Sequence, residues 1–219
     1  MCIILHIEKV VNDTAKDGPK MDENTYMNKQ ISGRSRVYTV VLTGIMAALV
    51  MAATSFFRIP VPATNGYIHL GDALIFISVL VLGRRNGTIA GATGSALADL
   101  LGGYVHWVPW TFVIKGLMAF VTGSVLMLER RNPTLKDKEK PGLTETSSGP
   151  DKIREAIAFT AGGLVMIAGY FIAHIVIYGT IAAPLAALPG NIIQAGAGVI
   201  IAEAVSVPLS RSGIIRKIS

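Results

Sequence analysis

Charge is scarce in this chain. Of its 219 residues only 16% are Asp, Glu, Lys or Arg, against 51% hydrophobic, and the mean hydropathy of +0.52 excludes an ordinary soluble domain. Cysteine is nearly absent: Cys2 alone rules out an internal disulfide framework and any multi-cysteine metal centre. Three catalytic signatures are missing as well. Without a G-x-x-x-x-G-K-[ST] phosphate loop the chain cannot hydrolyse ATP by that route, and it carries neither an H-E-x-x-H pair nor a G-x-S-x-G elbow. The apolar stretch Ile3 to Ile7 is too short for the core of a cleavable signal peptide, and a charged Gly/Pro-containing segment follows it.

What the chain has in quantity is long apolar runs. A helix crossing the hydrocarbon core needs about 20 mostly apolar residues. Such runs lie at 37–57, 70–83, 87–101, 109–128, 157–177 and 188–209, the second and third being short. Continuous rather than alternating hydrophobicity excludes a barrel. The expectation is an all-α, polytopic membrane protein with six transmembrane helices in one bundle, spanning 37–209. Residues 1–36 read as a polar, weakly ordered tail. Residues 129–155, with many charges of both signs and three prolines, read as a cytoplasmic loop, and 210–219 as a basic cytoplasmic tail. The sequence from Met27 looks more like a natural start than Met1, with Met21 a further candidate.

The formal charge of +6 does not indicate nucleic acid, because the basic residues segregate. With the N-terminus inside, all Lys and Arg fall on the cytoplasmic side except Arg58 and the intramembrane Lys115. Basic excess marks cytoplasmic loops, so both termini are placed in the cytoplasm. A rise of about 1.5 Å per residue then puts Lys115 roughly 9 Å below the outer edge of the hydrocarbon. On that same side lie His69, Asp72, Asp99, His106, His174, Asn191 and Gln194, with Tyr67, Tyr104, Trp107, Trp110, Tyr170 and Tyr178, whereas only Tyr38 marks the inner interface.

Aromatic belts form at both interfaces, so this one-sided set reads as either half a belt or the wall of a binding cavity. Ionisable groups within spans face cavities or one another. Asp99 and Lys115 therefore either bridge spans three and four or contact a polar ligand. Glu203, in the inner half of span six, makes a helix contact or reaches the cytoplasmic face. His69 with Asp72, His106 and His174 forms a nominal metal set, but lone histidines beside aromatics more often hydrogen-bond, and no metal or cofactor is expected. Lipid gives helices no hydrophobic reason to associate, so small side chains govern their packing. Gly44, Ala48 and Ala52 form one smooth face of span one, for internal packing or a partner. Span three has two such rows, Gly87, Gly91, Ser95 and Ala90, Gly94, Ala98.

The stretch from His69 to Gly116 resembles the S components of energy-coupling-factor transporters, in particular the riboflavin-type subgroup. The resemblance rests on "GD" at Gly71 and Asp72, "GSALADLLGGY" from Gly94 to Tyr104, "KG" at Lys115 and Gly116, and "NIIQ" from Asn191 to Gln194. It extends over Val37 to Leu209.

The resemblance implies a six-helix subunit of a prokaryotic cell-membrane importer, not an enzyme. Such a subunit captures a riboflavin-like, pyridoxine-like or thiamin-precursor-like molecule from outside, beneath a lid formed here by Arg58 to His69. Tyr67, His69, Asp72, Asp99, His106, Trp107, Trp110, Lys115, His174, Asn191 and Gln194 are the candidate binding residues. The family's A-x-x-x-A motif matches Ala48 and Ala52, which with Gly44 would dock on a transmembrane coupling subunit bearing two ATPase subunits. The metal-specific relatives carry histidine after the initiator Met, where this chain has Cys2. A solitary facilitator or proton-coupled carrier using Asp72, Asp99 and Lys115 is the alternative, and an intramembrane enzyme the third.

Overall fold

The computed structural model describes residues 23–61, 66–130 and 149–211. Helices α1 (Glu23–Phe56), α2 (Gly71–Leu101), α3 (Val108–Arg130), α4 (Gly149–Tyr178) and α5 (Ala182–Arg211) account for nearly all of them. Between α1 and α2 lies a small antiparallel hairpin, β1 (Ile59–Val61) with β2 (Gly66–Ile68), in which Pro60 faces Tyr67. A 3₁₀ turn, Val105–Trp107, precedes α3. The chain forms two compact units, Met1–Val40 and Val41–Ser219. The first, where described, is helical from Glu23 and exposes Val37, Tyr38 and Val40; residues 1–22 of the expected tail lie outside the described residues.

Five helical stretches among the described residues are long and apolar enough to cross a membrane. The second and third expected spans are parts of one of these, α2, which contains a single non-helical residue, Gly83, at φ 75° and ψ 177°. That region of backbone space is open essentially to glycine alone. In a straight helix Ile75 and Gly91 would be about 24 Å apart. Instead, a Cβ placed on Gly91 would fall 2.8 Å from Ile75 Cγ2, and one on Gly87 would fall 2.6 Å from Val79 Cα. Both pairs are centred on residue 83, so the chain reverses there, and residues 71–82 pack antiparallel against residues 84–101. The small-residue row Gly87–Gly91 makes this close return possible. Arg84 follows the turn and lies against α3, its guanidinium 4.9 Å from the Phe120 ring centroid.

Residues 71–82 form the centre of the unit. All except Leu74 are buried, as a helix apolar on every side requires. Phe76 stacks on Phe159 of α4 at 4.9 Å. Gly162 of α4 meets Phe76 and Thr122, and Gly198 of α5 brings its backbone against Asp72. From α1, Met46, Val50 and Thr54 are buried at four-residue spacing. Val50 and the Ala47 carbonyl pack on Gly94, and Thr54 on Gly71. The opposite face of α1 looks away from the unit: Gly44 and Ala48 are exposed, Ala52 is half-buried, and a Cβ on Gly44 would meet nothing within 4 Å.

The elements differ from the expected spans mostly at their ends. Residues 149–155, expected in the charged loop, begin α4, and 131–148 lie outside the described residues, as do 212–219 of the basic tail. On α5, Glu203 is half-buried and its carbonyl accepts from the Ser206 hydroxyl at 2.9 Å; that hydroxyl in turn accepts from Lys152 Nζ at 2.6 Å. This places Glu203 at an α4–α5 contact.

The reversal and the close return can be separated by mutation. Gly83→Val should lower stability in detergent by about 1–3 kcal/mol through backbone strain alone. Gly87→Leu should be worse, because the obstructing atoms belong to backbone that cannot move aside. Gly44→Ala should leave the melting temperature unchanged or slightly higher, and thermal unfolding of the three purified variants measures all of these effects.

Candidate functional site

The most polar point of the core is a fully buried ion pair. Lys115 on α3 and Asp72 in the first turn of α2 have no side-chain exposure, and Lys115 Nζ lies 2.5 Å from Asp72 Oδ1. The other carboxylate oxygen accepts from Gln194 Nε2 of α5 at 3.0 Å. Gln194 Oε1 accepts the His69 backbone N–H at 3.1 Å, and His69 Nδ1 accepts the Gly71 N–H at 3.0 Å. Lys115 Nζ also stands 5.3 Å from the Tyr170 ring centroid on α4, a cation–π distance. One chain of polar contacts thus joins the β2–α2 connection to α2, α3, α4 and α5.

Each member fits its place for a physical reason. Asp72 sits where the N-terminal end of a helix favours negative charge. The two bonds of Gln194 fix its amide, nitrogen toward the carboxylate and oxygen toward the His69 N–H. Accepting at Nδ1, His69 is a neutral imidazole protonated at Nε2. Burial, then the positive charge of nearby Lys115, lowers its pKa from the ordinary 6.5 to about 3, against an opposing pull from Asp72.

An aromatic cluster adjoins this network through Tyr170. Tyr170, His174 and Tyr178 recur every fourth residue along one face of α4, and Trp107 reaches them from the 3₁₀ turn. The Trp107 ring centroid lies 4.7 Å from His174 and 5.9 Å from Tyr170, and His174 stacks on Tyr178 at 5.9 Å. The Tyr170 hydroxyl pairs with that of Thr111 at 3.1 Å. His174 Nδ1 lies 2.7 Å from the Tyr170 carbonyl. The turn that delivers Trp107 passes through Gly103 at φ 82°.

The structure therefore brings together His69, Asp72, Lys115, Gln194, Trp107 and His174 of the sequence candidates. It corrects one pairing: the carboxylate that takes Lys115 in an ion pair is Asp72, not Asp99. Asp99 is buried near the C-terminal end of α2, where Arg58 donates to the neighbouring Ala98 carbonyl at 3.1 Å and covers Tyr104 at 5.4 Å. His106 is exposed, its ring 5.6 Å from Trp107. Trp110 and Asn191 are half-buried. Tyr67 lies in β2, and its side chain is outside the described residues. From sequence, Tyr170 and Tyr178 belong to the one-sided aromatic set, belt or cavity wall, without being singled out as binding residues, and Thr111 is overlooked; the four-residue spacing of both tyrosines from His174 was the available signal. Among the described residues no group of three or more His, Cys, Asp or Glu is placed to hold a metal ion.

An apolar bundle of helices long enough to cross a membrane, with a buried ion network and an adjoining aromatic cluster at its core, marks a polytopic membrane protein. Residues 34–211 match the family described as ECF-type riboflavin transporter, S component, and the chain belongs to that family. Among curated proteins it is 34% identical over 152 residues to a Pyrococcus woesei protein called "uncharacterized protein in gap 3′ region", covering 69% of this chain and 88% of that one. It is 26% identical over 187 residues to the thiamine precursor transporter HmpT of Lactococcus lactis subsp. cremoris (strain MG1363), covering 85% and 96%. A UPF0397 protein of Streptococcus agalactiae is 32% identical over 100 residues, 45% of this chain and 55% of its own.

Two outcomes follow from the network. Asp72→Asn or Lys115→Met alone strands a buried charge and should destabilise the protein by about 3–5 kcal/mol, whereas the double variant should recover most of the loss; detergent thermal melts with ligand-free protein give the comparison. The second concerns pH. Because the folded pKa of His69, about 3, lies below its unfolded 6.5, the unfolded chain binds the extra proton between those values. Stability from His69 is complete above pH 6.5 and falls by up to about 1.4 kcal/mol per unit as pH drops toward 3. His69→Asn, whose Oδ1 can replace Nδ1 as acceptor for Gly71, should flatten that part of the melting-temperature profile.

Proposed function

We propose that the chain is the substrate-capturing S component of an ATP-driven vitamin importer, with six membrane crossings and cytoplasmic termini. In this reading α2 contributes two crossings through its reversal at Gly83, and the β hairpin faces the exterior with the basic residues segregated inside. The observation that carries the reading is the aromatic cluster of Trp107, Tyr170, His174 and Tyr178 beside the Asp72–Lys115–Gln194 network, in a chain of this family. Planar rings stack on such a wall, and a few directed hydrogen bonds select among them.

The captured molecule is a vitamin or precursor of the riboflavin-like, pyridoxine-like or thiamin-precursor-like kind. The family description supports the riboflavin-like member of that range and the name of HmpT the thiamin-precursor-like one. His69, Asp72, Lys115 and Gln194 form the floor of the site, with Asp99, His106, Trp110, Asn191 and Tyr67 around it. Energy comes from a transmembrane coupling subunit and two ATPase subunits. The Gly44–Ala48–Ala52 face of α1, exposed at Gly44 and Ala48 and half-buried at Ala52, meets the coupling subunit, where small side chains allow close backbone approach.

The buried Asp72–Lys115 pair also suits a proton-coupled carrier acting alone, and one experiment separates the two. In cells expressing the chain with a coupling module, Ala48→Trp with Ala52→Trp should reduce uptake of labelled vitamin precursor at least tenfold while leaving binding to the purified chain unchanged. Undiminished uptake would favour the solitary carrier.

A further inference from the structure

The aromatic cluster contains two buried polar atoms that its own side chains leave unused. Trp107 is 4% and His174 5% exposed, and neither Trp107 Nε1 nor His174 Nε2 has a hydrogen-bond partner among the described residues. Buried polar groups almost always have partners, so two orphans on touching rings call for an explanation. The chemistry of each atom is fixed. An indole nitrogen only donates. A carbonyl only accepts, so His174 Nδ1, 2.7 Å from the Tyr170 carbonyl, must carry the hydrogen of that bond. No carboxylate bonds to His174 among the described residues, and a buried unpaired imidazolium is costly. The ring is therefore neutral, with a bare lone pair at Nε2.

We infer that Trp107 and His174 form a donor–acceptor subsite for a neutral planar N-heterocycle whose edge carries an acceptor beside an N–H. A lactam edge (C=O next to N–H) and an aminopyrimidine edge (ring nitrogen next to an amino group) both have that pattern. Trp107 Nε1 donates to the ligand acceptor, and His174 Nε2 accepts the ligand N–H. Tyr170 and Tyr178 flank the pair and supply stacking surface. A heteroaromatic carboxylate is rejected, because it would set an anionic oxygen against the Nε2 lone pair with no proton between them. This inference rests on the capture function proposed above and narrows it to a class of ring.

Binding to the full-length purified chain in detergent tests it with paired probes. One pair is lumiflavin and 3-methyllumiflavin; the other is 4-amino-5-hydroxymethyl-2-methylpyrimidine and its 4-dimethylamino analogue. At least one parent compound should bind, and blocking its N–H with methyl should weaken it tenfold or more. In His174→Asn, whose amide nitrogen can still donate to the Tyr170 carbonyl, that penalty should shrink to below threefold. In Trp107→Phe both members of the pair should weaken in step, leaving the penalty intact. Nitrogen NMR of histidine-labelled protein should show the unprotonated Nε2 signal shifting with the parent and not with its methylated partner.

An undiminished penalty in His174→Asn, or a stationary Nε2 signal on saturation, would overturn the subsite and leave the two atoms to water. Tight binding of nicotinate would uphold capture while refuting the edge. If none of the four probes binds, the ring class is wrong, and the uptake measurement decides the transport role independently.

Discussion

The ion pair between Lys115 and Asp72 sets the terms for the rest of the molecule. Neither group retains any contact with solvent, and stranding either charge there costs several kcal/mol, so the helices that bear them are held in one register. Other features follow from that constraint. The second carboxylate oxygen needs a donor, which Gln194 supplies from α5; the backbone of α5 must come close, and Gly198 allows it against Asp72. The ammonium has further donor capacity, and the face of Tyr170 lies over it from α4. A buried pair is poor evidence of net stability, since apolar replacements can be as stable. Its clearer effect is to make wrong helix registers expensive.

Lipid does not push helices together, so the remaining organisation comes from shape. Residues 71–82 can lie at the centre because neighbours present almost no side chain where they approach: Gly87 and Gly91 from the returning half of α2, Gly162 from α4 and Gly198 from α5. A helix of twelve residues is about 18 Å long, well short of the hydrocarbon thickness. Surrounded by protein, it has no lipid boundary to match. The small residues and the short central helix are two sides of one solution.

This explains which features were legible in advance. The apolar runs are forced by lipid, and their positions follow the helices closely from 41 onward. The shortness of the two runs flanking Gly83 was visible, and the glycine rows after it announced close packing without identifying the partner. The pairing of Lys115 was not legible. The reversal at Gly83 folds the two ends of α2, bearing Asp72 and Asp99, back toward each other, so periodicity cannot choose between two carboxylates there. Gln194 settles it in space, because it completes the site around Asp72 from a helix more than a hundred residues away. The Tyr170–His174–Tyr178 face was hidden differently: aromatic residues at a helix end read equally as an interface belt or a cavity wall until Trp107 is seen packed among them.

The two halves of the site differ in how far their polar groups are committed. In the ion network the contacts run from Lys115 through Asp72 and Gln194 to the backbone N–H of His69, and His69 in turn caps the first turn of α2. His69 follows β2 directly, so the stem of the hairpin and the packing of the helices share one chain of hydrogen bonds. The stem cannot shift without breaking the bond to Gln194 or drawing Gln194 away from Asp72. The first change would strand the His69 N–H and the Gln194 amide oxygen, and the second would cost a buried carboxylate one of its partners; a medium without water repairs neither. The rings of the aromatic half are held by stacking and by the Tyr170 contacts, with one donor and one acceptor left without partners among the described residues. Tyr170, touching Lys115 on one side and Trp107 on the other, is the side chain that joins the two halves.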